Sequence, residues 1–357
     1  MSRTSGKSTE TSAAAAVAAA AEGVAMDPSS ERERIGNTVI RRSTAMLGPG
    51  GWTLVAAFVV MVVAFGVAQP HTFLNWGTAK DILNQAAVPV ILVSGLVFVL
   101  AVGEFDLAFT SILGMSSGLV IVLISEDSIP AGPAIAVVVA VAALAGLVVG
   151  LLVTLGRASS FIVTLAIGSA LSGLELALTN DTTIYNNIPA SYGALTTTSV
   201  FGLDTQVWFA AGVGLVCALV LHGSRFGRHV SAIGANPVAA FLAGVRVRRA
   251  RVVCFIVVGV CASFAAVVFT SASVSYTPGA SAGFLLSSYA AAFLGAAAGR
   301  RGGRFTVPGA IFGVIWLLTL ETGLTYVNAA PWTTNVVQGV ALATAVMIAA
   351  RGKRDNI

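Results

Sequence analysis

The sequence predicts an all-α, polytopic integral membrane protein, and three observations support this class. Of the 357 residues, 56% are hydrophobic and 10% are charged, whereas soluble domains carry about 25% charged residues. The mean hydropathy is +0.89. The apolar residues form long runs separated by short polar stretches, which is the pattern of several membrane-spanning helices.

Ten apolar segments are each about long enough to cross a hydrocarbon core of about 30 Å, some with help from flanking residues. They cover residues 51–68, 84–102, 107–124, 131–153, 161–178, 206–221, 251–271, 283–298, 306–324 and 332–350. The second segment, which contains Asn84, Gln85 and Pro89, and the short eighth segment are the weakest of the ten. Polar groups and proline at lipid depth are tolerated only against other helices or a wet cavity. We therefore expect these two helices in the interior of the bundle.

The basic residues orient the predicted bundle. If the N-terminus is cytoplasmic, nineteen of the 20 Lys and Arg residues lie on the cytoplasmic side and only Lys80 lies outside. Basic residues are retained on the cytoplasmic side of membrane proteins. This asymmetry predicts ten spans with both termini in the cytoplasm. In a membrane protein, the distribution of basic residues is more informative than the net charge of +5, and we expect no nucleic-acid partner.

The chain divides into a tail and a membrane domain. Residues 1–46, rich in Ser, Thr, Ala, Glu and Arg without a packed pattern, predict a disordered cytoplasmic tail. A transmembrane domain is predicted over 47–350, with a long cytoplasmic loop at 222–250, and a second cytoplasmic tail over 351–357. Gly6-Lys7-Ser8 is similar to the end of a phosphate-binding loop. Its first glycine would fall on Met1 and no strand precedes it, so no nucleotide site is expected.

The sequence offers no pattern of catalytic or metal-binding residues. Cys217, Cys254 and Cys261 all fall inside apolar runs, where cysteine behaves as a small apolar core residue. No His, Cys or carboxylate cluster has metal-ligand spacing, and no Ser or Cys has a recognisable nucleophile context. We predict a non-catalytic protein that binds no metal or cofactor itself.

Two glycine pairs indicate close helix packing. Gly146 and Gly150 are four residues apart, as are Gly309 and Gly313. Such pairs allow helix backbones to approach where lipid provides no hydrophobic drive. The alternative is that glycine is simply frequent in membrane helices.

Four acidic residues lie at or near the apolar segments: Glu104, Asp106, Glu175 and Glu321. Intramembrane acids are costly and are functional candidates by default. We expect Glu175 and Glu321 to reach water, because both lie near the outer ends of their segments. Glu104 and Asp106 precede a helix predicted to start at about Leu107, and they could cap its free N–H groups. A proton-relay role is the alternative.

A basic stretch, 224–251, contains six arginines and a complete short helix, GANPVAAFLAG. Asn236 is a good N-cap, Pro237 fits the first helical position, and Gly244 can adopt the left-handed C′ conformation. An apolar stripe at i, i+3, i+4, i+7 spacing is formed by Val238, Phe241, Leu242 and Val245. A two-turn helix is unstable alone in water. It therefore needs a surface, either a groove on a partner protein or an anionic lipid surface.

The stretch 227–245, GRHVSAIGANPVAAFLAGV, resembles the cytoplasmic loop of the ribose-type sugar permeases of bacterial ABC importers. The family pattern is roughly G-R-x-x-Y-A-I-G-G-N-x-x-A-A-x-L-S-G-I. This chain departs from the pattern at Ser231, Ala235 and Ala243. The asparagine cap, the alanine pair and the terminal glycine are all retained.

Two further stretches match the family in the right order. Residues 103–107, GEFDL, are similar to the family's G-G-I-D-L-S motif, with Glu104 and Ala108 as departures. Residues 302–309 and 321–324 are similar to its late glycine-rich and N-G-L segments, and Glu321 stands where asparagine is common. The resemblance covers about residues 50–350.

The resemblance implies a coupling helix that docks into a cleft on an ATP-binding subunit. The residues carried over for this role are Gly227, Arg228, Gly234, Asn236, Pro237, Ala239, Ala240, Phe241, Leu242 and Gly244. The candidates for the transport pathway or for a family motif are Asn84, Gln85, Glu104, Asp106 and Glu321.

The resemblance also implies an assembly in the bacterial cytoplasmic membrane. Its expected partners are ATP-binding cassette subunits that carry ATP and Mg²⁺, a second permease copy, an extracytoplasmic solute-binding protein and the lipid bilayer. The expected substrate is a small sugar or related polyol. The alternative function is ion-coupled secondary transport through Asp106, Glu175 or Glu321, and a passive channel is the weakest of the three hypotheses.

Overall fold

The structure is a computed structural model, and it describes residues 49–156, 158–298, 304–330 and 332–340, together with 343 and 347. The predicted tails at 1–46 and 351–357 lie outside the described residues. So does part of the tenth predicted segment, of which residues 332–340 are helical.

Besides the helical residues 332–340, the described ranges up to Tyr326 form twelve α-helices. They are α1 (Pro49–Ala68), α2 (Trp76–Ala101), α3 (Phe109–Ser125), α4 (Ala131–Leu155), α5 (Ser160–Thr179), α6 (Ala190–Thr197), α7 (Thr205–Gly223), α8 (Arg225–Ala235), α9 (Pro237–Leu242), α10 (Val247–Ser273), α11 (Phe284–Ala298) and α12 (Val307–Tyr326). A small antiparallel hairpin, β1 (Ser199–Val200) and β2 (Leu203–Asp204), joins α6 to α7. A 3₁₀ turn, η1 (Ala280–Gly283), precedes α11.

The helices confirm a multi-pass membrane protein. Nine of the ten predicted segments coincide with α1 to α5, α7 and α10 to α12. Within the described residues, seven helical stretches are long and apolar enough to cross a membrane, and α1 and α3 contain shorter apolar helices. The number of spans and their orientation are not fixed by these lengths, so ten spans with cytoplasmic termini stay a prediction.

Two helices begin several residues before their predicted starts. The helix α2 begins at Trp76 rather than at 84, because the Asn75 side chain accepts a hydrogen bond from the Gly77 amide at 2.9 Å and caps it. Lys80, predicted in an outer loop, is therefore part of α2. The helix α10 begins at Val247 rather than at 251. Polar residues in the first turns of both helices conceal these starts from an analysis of hydropathy.

The interior of the bundle is formed chiefly by α2 and α10. In α2, 83% of the most apolar window is buried, and in α10 the share is 61%. The corresponding shares in α4, α5 and α7 are 28%, 22% and 28%, so these helices present most of their surface outward. The stretch Ala280–Ala298, which contains α11, is 56% buried. The prediction that the second and eighth segments are interior is confirmed.

Both glycine pairs lie at tight helix contacts, as predicted. A Cβ atom added to Gly146 of α4 would overlap the Phe255 carbonyl oxygen of α10, and one at Gly150 would lie 2.9 Å from the α10 backbone. Gly309 and Gly313 make matching approaches from α12 to the backbone of α11. The pairs are therefore packing devices in this fold.

Candidate functional site

A polar cavity of about 560 Å³ lies among α2, α7, α10, α11 and α12. Its amide and carboxylate lining comes from Asn84, Gln85, Gln206, Glu321 and Gln338. Two serines, two phenylalanines and several aliphatic side chains complete the wall. This mixture of apolar surface with a few polar groups, at this volume, is typical of small-molecule sites.

Three of the residues predicted from the sequence meet in this cavity: Asn84, Gln85 and Glu321. Gln206 and Gln338 also line it, and sequence reasoning missed them. A usable signal existed, because each is an amide side chain inside an apolar segment, where an interior position is favoured. The serines of the wall carry no such signal, since serine is common in membrane helices.

The polar groups at the cavity are held by neighbouring side chains. Lys80 Nζ lies 2.9 Å from Asp204 Oδ1. Asn84 Nδ2 donates a hydrogen bond to Asp204 Oδ2 at 2.7 Å. The Gln338 amide donates to Glu321 Oε1. Asn84, Gln338 and Glu321 are thus held by side-chain hydrogen bonds at the cavity.

The loop between α2 and α3 forms a second polar cluster away from this cavity. Its backbone amides are bound in succession by side chains: Phe105 N donates to Ser160 Oγ (3.1 Å), Asp106 N to Tyr289 Oη (3.1 Å), Leu107 N to Thr164 Oγ1 (3.0 Å) and Ala108 N to Asp106 Oδ1 (2.8 Å). Tyr289 Oη also donates to the Asp106 carbonyl oxygen at 2.7 Å. The loop is therefore anchored to α5 and α11.

Asp106 and Glu104 have different roles in this loop. The Asp106 carboxylate accepts a hydrogen bond from the amide of Ala108, the residue directly before α3, and α3 begins at Phe109 rather than at about Leu107. Burial raises the pKa of Asp106 from 3.8 to about 7, and hydrogen bonds from the Ala108 and Phe109 amides oppose this rise. Glu104 forms no cap and instead pairs with Arg251 of α10 at 3.1 Å.

Glu175 contradicts the expectation that it would reach water. Its side chain is 2% exposed. Its Oε1 accepts hydrogen bonds from Tyr276 Oη at 2.6 Å and from Gly279 N at 2.7 Å. The loop 274–279 folds back onto α5 and covers the carboxylate. In this loop, the backbone of Tyr276 pairs with that of Ile184, which follows α5. Glu321 is only partly buried and lines the cavity, beside Gln338.

The predicted short helix is α9, and its local structure is as expected. Asn236 Oδ1 accepts hydrogen bonds from Val238 N and Ala239 N, both at 3.0 Å. Pro237 occupies the first turn, and Gly244 has a φ of +82°, the left-handed conformation that favours glycine. The basic stretch also contains a second helix, α8, which was not predicted.

The apolar stripe of α9 is largely exposed. Val238, Phe241 and Leu242 are 67%, 68% and 79% exposed, respectively, whereas Ala240 is 5% exposed and faces the bundle. Val245, the fourth member of the stripe, is partly buried against the core. Within α9, Ala240 is therefore the residue that packs against the bundle, and the large apolar side chains face outward.

Arginines flank this exposed stripe on both sides in the sequence. Arg225, Arg228, Arg246, Arg248 and Arg249 are exposed, and Arg251 is partly buried in its pair with Glu104. The apolar stripe is thus flanked along the chain by exposed positive charge.

The glycines of this region have a packing role. A Cβ atom at Gly227 would overlap the Leu221 carbonyl oxygen at the end of α7, and one at Gly234 would overlap the Ala101 carbonyl oxygen at the end of α2. Helix α8 is therefore seated directly on the ends of α7 and α2. Asn84, at the cavity, lies 17 residues before Ala101 in α2, which corresponds to about 26 Å along the helix axis.

The three cysteines are buried in apolar surroundings, as predicted. Cys217 of α7 and Cys261 of α10 face each other with their sulfur atoms 3.9 Å apart. Among the residues that the structure covers, no group of three or more His, Cys, Asp or Glu side chains is arranged to hold a metal ion.

The long apolar helices and the cavity among them define a multi-pass membrane protein. The chain belongs to the family described as the branched-chain amino acid transport system/permease component, whose profile matches residues 78–346. Within this family it is similar to the ribose-type sugar permeases of ABC importers.

Three relatives illustrate this similarity. The ribose import permease protein RbsC of Escherichia coli strain K12 is 28% identical over 295 residues, which cover 82% of this chain and 91% of the relative. RbsC of Bacillus subtilis strain 168 is 29% identical over 310 residues, or 85% and 92% of the two chains. The L-arabinose transport system permease protein AraH of E. coli K12 is 28% identical over 299 residues, or 82% and 88%. No solved structure matches this chain.

Proposed function

We propose that this chain is the membrane subunit of an ATP-driven importer, in which it moves a small sugar or related polyol from an extracytoplasmic binding protein into the cytoplasm. The observation that carries the proposal is the exposed apolar stripe of α9, formed by Val238, Phe241 and Leu242 among exposed arginines. Such a stripe on a two-turn helix fits a groove on another protein. Two ATP-binding subunits, which would bind ATP and Mg²⁺, supply that groove in this proposal.

The proposed mechanism transmits motion from α9 to the cavity. Gly234 fits against the carbonyl oxygen of Ala101 with no room for a side chain, so a displacement of α8–α9 has to move the end of α2. Since α2 also lines the cavity through Asn84 and Gln85, the same displacement changes the cavity. Rigid-body motion of packed helices is the usual way in which transporters alternate between outward-open and inward-open states.

The substrate class is supported by the cavity and by the relatives. A volume of about 560 Å³, with amide, hydroxyl and carboxylate groups in the wall, is compatible with a hydrated monosaccharide. The relatives are named for ribose, L-arabinose and D-allose. We therefore place sugars of this size first among the candidate substrates.

The proposed topology has ten spans, both termini in the cytoplasm of a bacterium, and α9 on the inner face. Two permease copies form the pathway, and the binding protein docks on the outer loops near 69–75, 180–204 and 274–279. Lys80, the single basic residue on the outer side in this topology, lies at the outer end of α2 beside Asp204. The exposed arginines around α9 lie on the cytoplasmic face, as the distribution of basic residues requires.

One alternative function is favoured by a specific observation. Glu321 lines the cavity and Glu175 is buried inside the bundle, and intramembrane carboxylates carry protons or sodium in many secondary transporters. In that case the purified chain alone would transport solute in response to an ion gradient.

Reconstitution distinguishes the two functions. The chain is purified from its native membrane, any associated ATPase is retained, and the complex is placed in proteoliposomes with sugar-loaded binding protein. We expect D-ribose, L-arabinose or D-allose uptake that requires ATP and is unaffected when proton and sodium gradients are collapsed. Uptake by the chain alone under an ion gradient, without ATP, contradicts the proposal and supports the alternative.

A further inference from the structure

We propose that a small cavity between α3, α5 and η1 binds one monovalent alkali cation, which holds the segment 276–283 against the bundle. This cavity, which we call the α3–α5 cavity, has a volume of about 140 Å³. It shares no lining residue with the larger cavity described above. The inference goes beyond the proposed function, because the cation has a structural role and does not drive transport.

Every polar side chain in the wall of the α3–α5 cavity carries oxygen, and none carries nitrogen. The carboxylate comes from Glu175, and the hydroxyl groups come from Thr110, Ser111, Ser172 and Ser281. Hard cations prefer oxygen ligands. A hydroxyl group keeps its lone pairs available even when it donates a hydrogen bond, as Ser172 Oγ does to Ser111 Oγ at 3.1 Å. The wall therefore offers the ligands of a hard cation.

Glu175 brings a negative charge to this cavity. Its Oε1 accepts hydrogen bonds of 2.6 Å from Tyr276 Oη and 2.7 Å from Gly279 N, and these lengths are typical of an ionised acceptor. Within the described residues, no Lys, Arg or His side chain pairs with Glu175. A buried charge without a counter-charge is strongly unfavourable. A cation in the α3–α5 cavity would supply that counter-charge.

Two oxygen atoms of the wall, Glu175 Oε2 and Thr110 Oγ1, have no hydrogen-bond partner in the part of the chain that the structure describes. Glu175 is 2% exposed and Thr110 is 5% exposed, and both line the cavity. Their two oxygens keep some accessible surface, unlike the enclosed hydroxyl groups of Ser116 and Ser288. Buried polar atoms without partners call for an explanation. A cation in the cavity would be a partner for both oxygens.

The absence of a side chain at Gly114 leaves room for the oxygens of two other elements. A Cβ atom at this position of α3 would overlap Glu175 Oε2 and would lie 2.6 Å from Ser281 Oγ. The oxygens of α5 and η1 therefore approach the same point of α3. One cation bound beside this point would join the three elements, and it would hold η1 in place.

The charge of the wall favours a monovalent cation. Glu175 is the single charged side chain among the lining residues. Na⁺ or K⁺ would leave the site neutral, whereas Mg²⁺ or Ca²⁺ would leave a net positive charge among apolar helices, which is costly. A site of one carboxylate and several hydroxyl groups also differs from the His and Cys clusters that are typical of transition-metal sites.

Thermal unfolding and amide hydrogen exchange of the full-length chain in detergent test the proposal. Both are measured in NaCl, KCl and choline chloride at equal ionic strength. Glu175→Gln keeps a carbonyl acceptor for Tyr276 and Gly279 and removes the charge. Thr110→Val keeps the shape of the side chain and removes the hydroxyl group. The matched control is Ser117→Ala, which removes an enclosed, unpaired hydroxyl group of α3 that does not line the cavity.

We expect NaCl or KCl to raise the melting temperature of the wild-type chain by about 2–4 °C relative to choline chloride, because the cation binds the folded state alone. The same salt should slow hydrogen exchange over residues 276–283. Glu175→Gln should lose both effects. Thr110→Val should need roughly tenfold more cation for the same shift, since one ligand is missing. Ser117→Ala should respond to the cation as the wild-type chain does.

Three results would overturn the inference. Equal melting temperatures and equal exchange in the three salts would mean that the cavity holds only water or that a proton neutralises Glu175. A cation effect that survives in both Glu175→Gln and Thr110→Val would place the ion elsewhere. An equal loss in Thr110→Val and Ser117→Ala would show a general weakening of α3. If Glu175→Gln cannot be purified, the comparison of Thr110→Val with Ser117→Ala decides.

The proposed function is tested separately from this site. ATP-dependent sugar uptake with equal Na⁺ and K⁺ on both sides of the membrane is compatible with each of these results. Uptake that is driven by a Na⁺ gradient without ATP would contradict the proposed function and would leave the cation site intact.

Discussion

At the scale of single residues, buried polar groups of this protein are explained by the bonds they make rather than by their position in the sequence. Asp106 is 1% exposed, yet its backbone and side chain make four of the hydrogen bonds that anchor its loop. Glu175, which the sequence places near a water-accessible helix end, is covered by the loop that carries Tyr276 and Gly279. Asp106 thus stabilises the loop between α2 and α3, and Glu175 stabilises the loop that contains Tyr276 and Gly279.

The raised pKa of Asp106 predicts a pH dependence of stability. The folded state holds the proton up to about pH 7, whereas the unfolded chain releases it near 3.8. Stability is therefore favoured below the unfolded value and falls as the pH rises from about 4 to 7, since each unit that separates the two pKa values corresponds to about 1.4 kcal/mol. Asp106→Asn keeps an acceptor for the Ala108 amide and cannot ionise. We expect thermal unfolding of this variant in detergent to lose that part of the pH slope and to be more stable than wild type at pH 8.

The exposed Asp127→Asn variant is the control for this measurement, and it should retain the wild-type slope. A slope that is unchanged in Asp106→Asn would mean that Asp106 is ionised in the folded protein throughout this range.

Glu175 predicts a local loss of order when its hydrogen bonds are removed. In Glu175→Leu, the Tyr276 hydroxyl and the Gly279 amide lose their acceptor, and each unsatisfied buried group costs about 1–3 kcal/mol. We expect faster amide hydrogen exchange over residues 276–283, with little change in α12. Glu126→Leu, which removes an exposed glutamate at the end of α3, should leave exchange of that segment unchanged. Equal protection of 276–283 in both variants contradicts the anchoring role of Glu175.

At the scale of secondary-structure elements, the periodic and apolar features of the sequence were sufficient to predict most of the fold. The nine matched segments, the interior position of α2 and both glycine pairs follow from hydropathy and from small-residue spacing. The helix α9 was predictable because its cap, first-turn proline and terminal glycine are local signals. Helix α8 and the early starts of α2 and α10 were not, because amphipathic or polar turns do not differ from loops in mean hydropathy.

The site could be predicted only in part, for a physical reason. Asn84, Gln85 and Glu321 are conspicuous in apolar segments, and they do line the cavity. Asp204, which binds Asn84, and Lys80, which pairs with Asp204, lie in polar stretches of the sequence. Nothing in a single sequence indicates that these two residues approach each other. The contact of Asp204 with Lys80 and Asn84 arises from tertiary packing of α7 on α2. A local sequence pattern cannot predict such a contact.

The α4–α10 contact makes a quantitative prediction. In Gly146→Leu the new side chain collides with the backbone of α10 at Phe255, and overpacking of this kind typically costs about 1–3 kcal/mol. Gly173→Leu on α5 is the matched control, because no atom lies within 4 Å of the position where its Cβ would be placed. We expect a lower melting temperature in detergent for the first variant alone. Equal melting temperatures would show that α4 and α10 separate at little cost.

At the scale of the whole molecule, the proposed topology places α9 and the outer segments on opposite sides of the membrane. The native cysteines are buried, so a cysteine introduced at an exposed loop position can be labelled selectively in intact cells. A membrane-impermeant maleimide should react with Ser128→Cys, in the α3–α4 loop, from outside. It should react with Ala235→Cys, at the end of α8, only after permeabilisation. Reversed labelling would invert the topology and place the arginine-rich surface outside.

Helix α2 connects the cavity with the cytoplasmic end of the bundle in this topology. The helix α2 carries Asn84 at the cavity and ends at Ala101, against Gly234 of α8. A partner bound to α9 would therefore act on the cavity through the buried helix α2, which spans about 26 Å between Ala101 and Asn84. The proposed mechanism depends on binding of that partner to α9.

Co-purification of the ATPase with the Phe241→Asp variant tests most directly whether the ATPase binds α9. Phe241 is 68% exposed on the stripe of α9, and a charge at the centre of an apolar contact typically removes a large share of its binding energy. Phe201→Asp, at a 93% exposed phenylalanine of the outer hairpin, is the matched control. The account predicts that Phe241→Asp inserts and melts like wild type but retains little ATPase, whereas Phe201→Asp retains all of it. Full recovery of a coupled ATPase with Phe241→Asp would contradict the account.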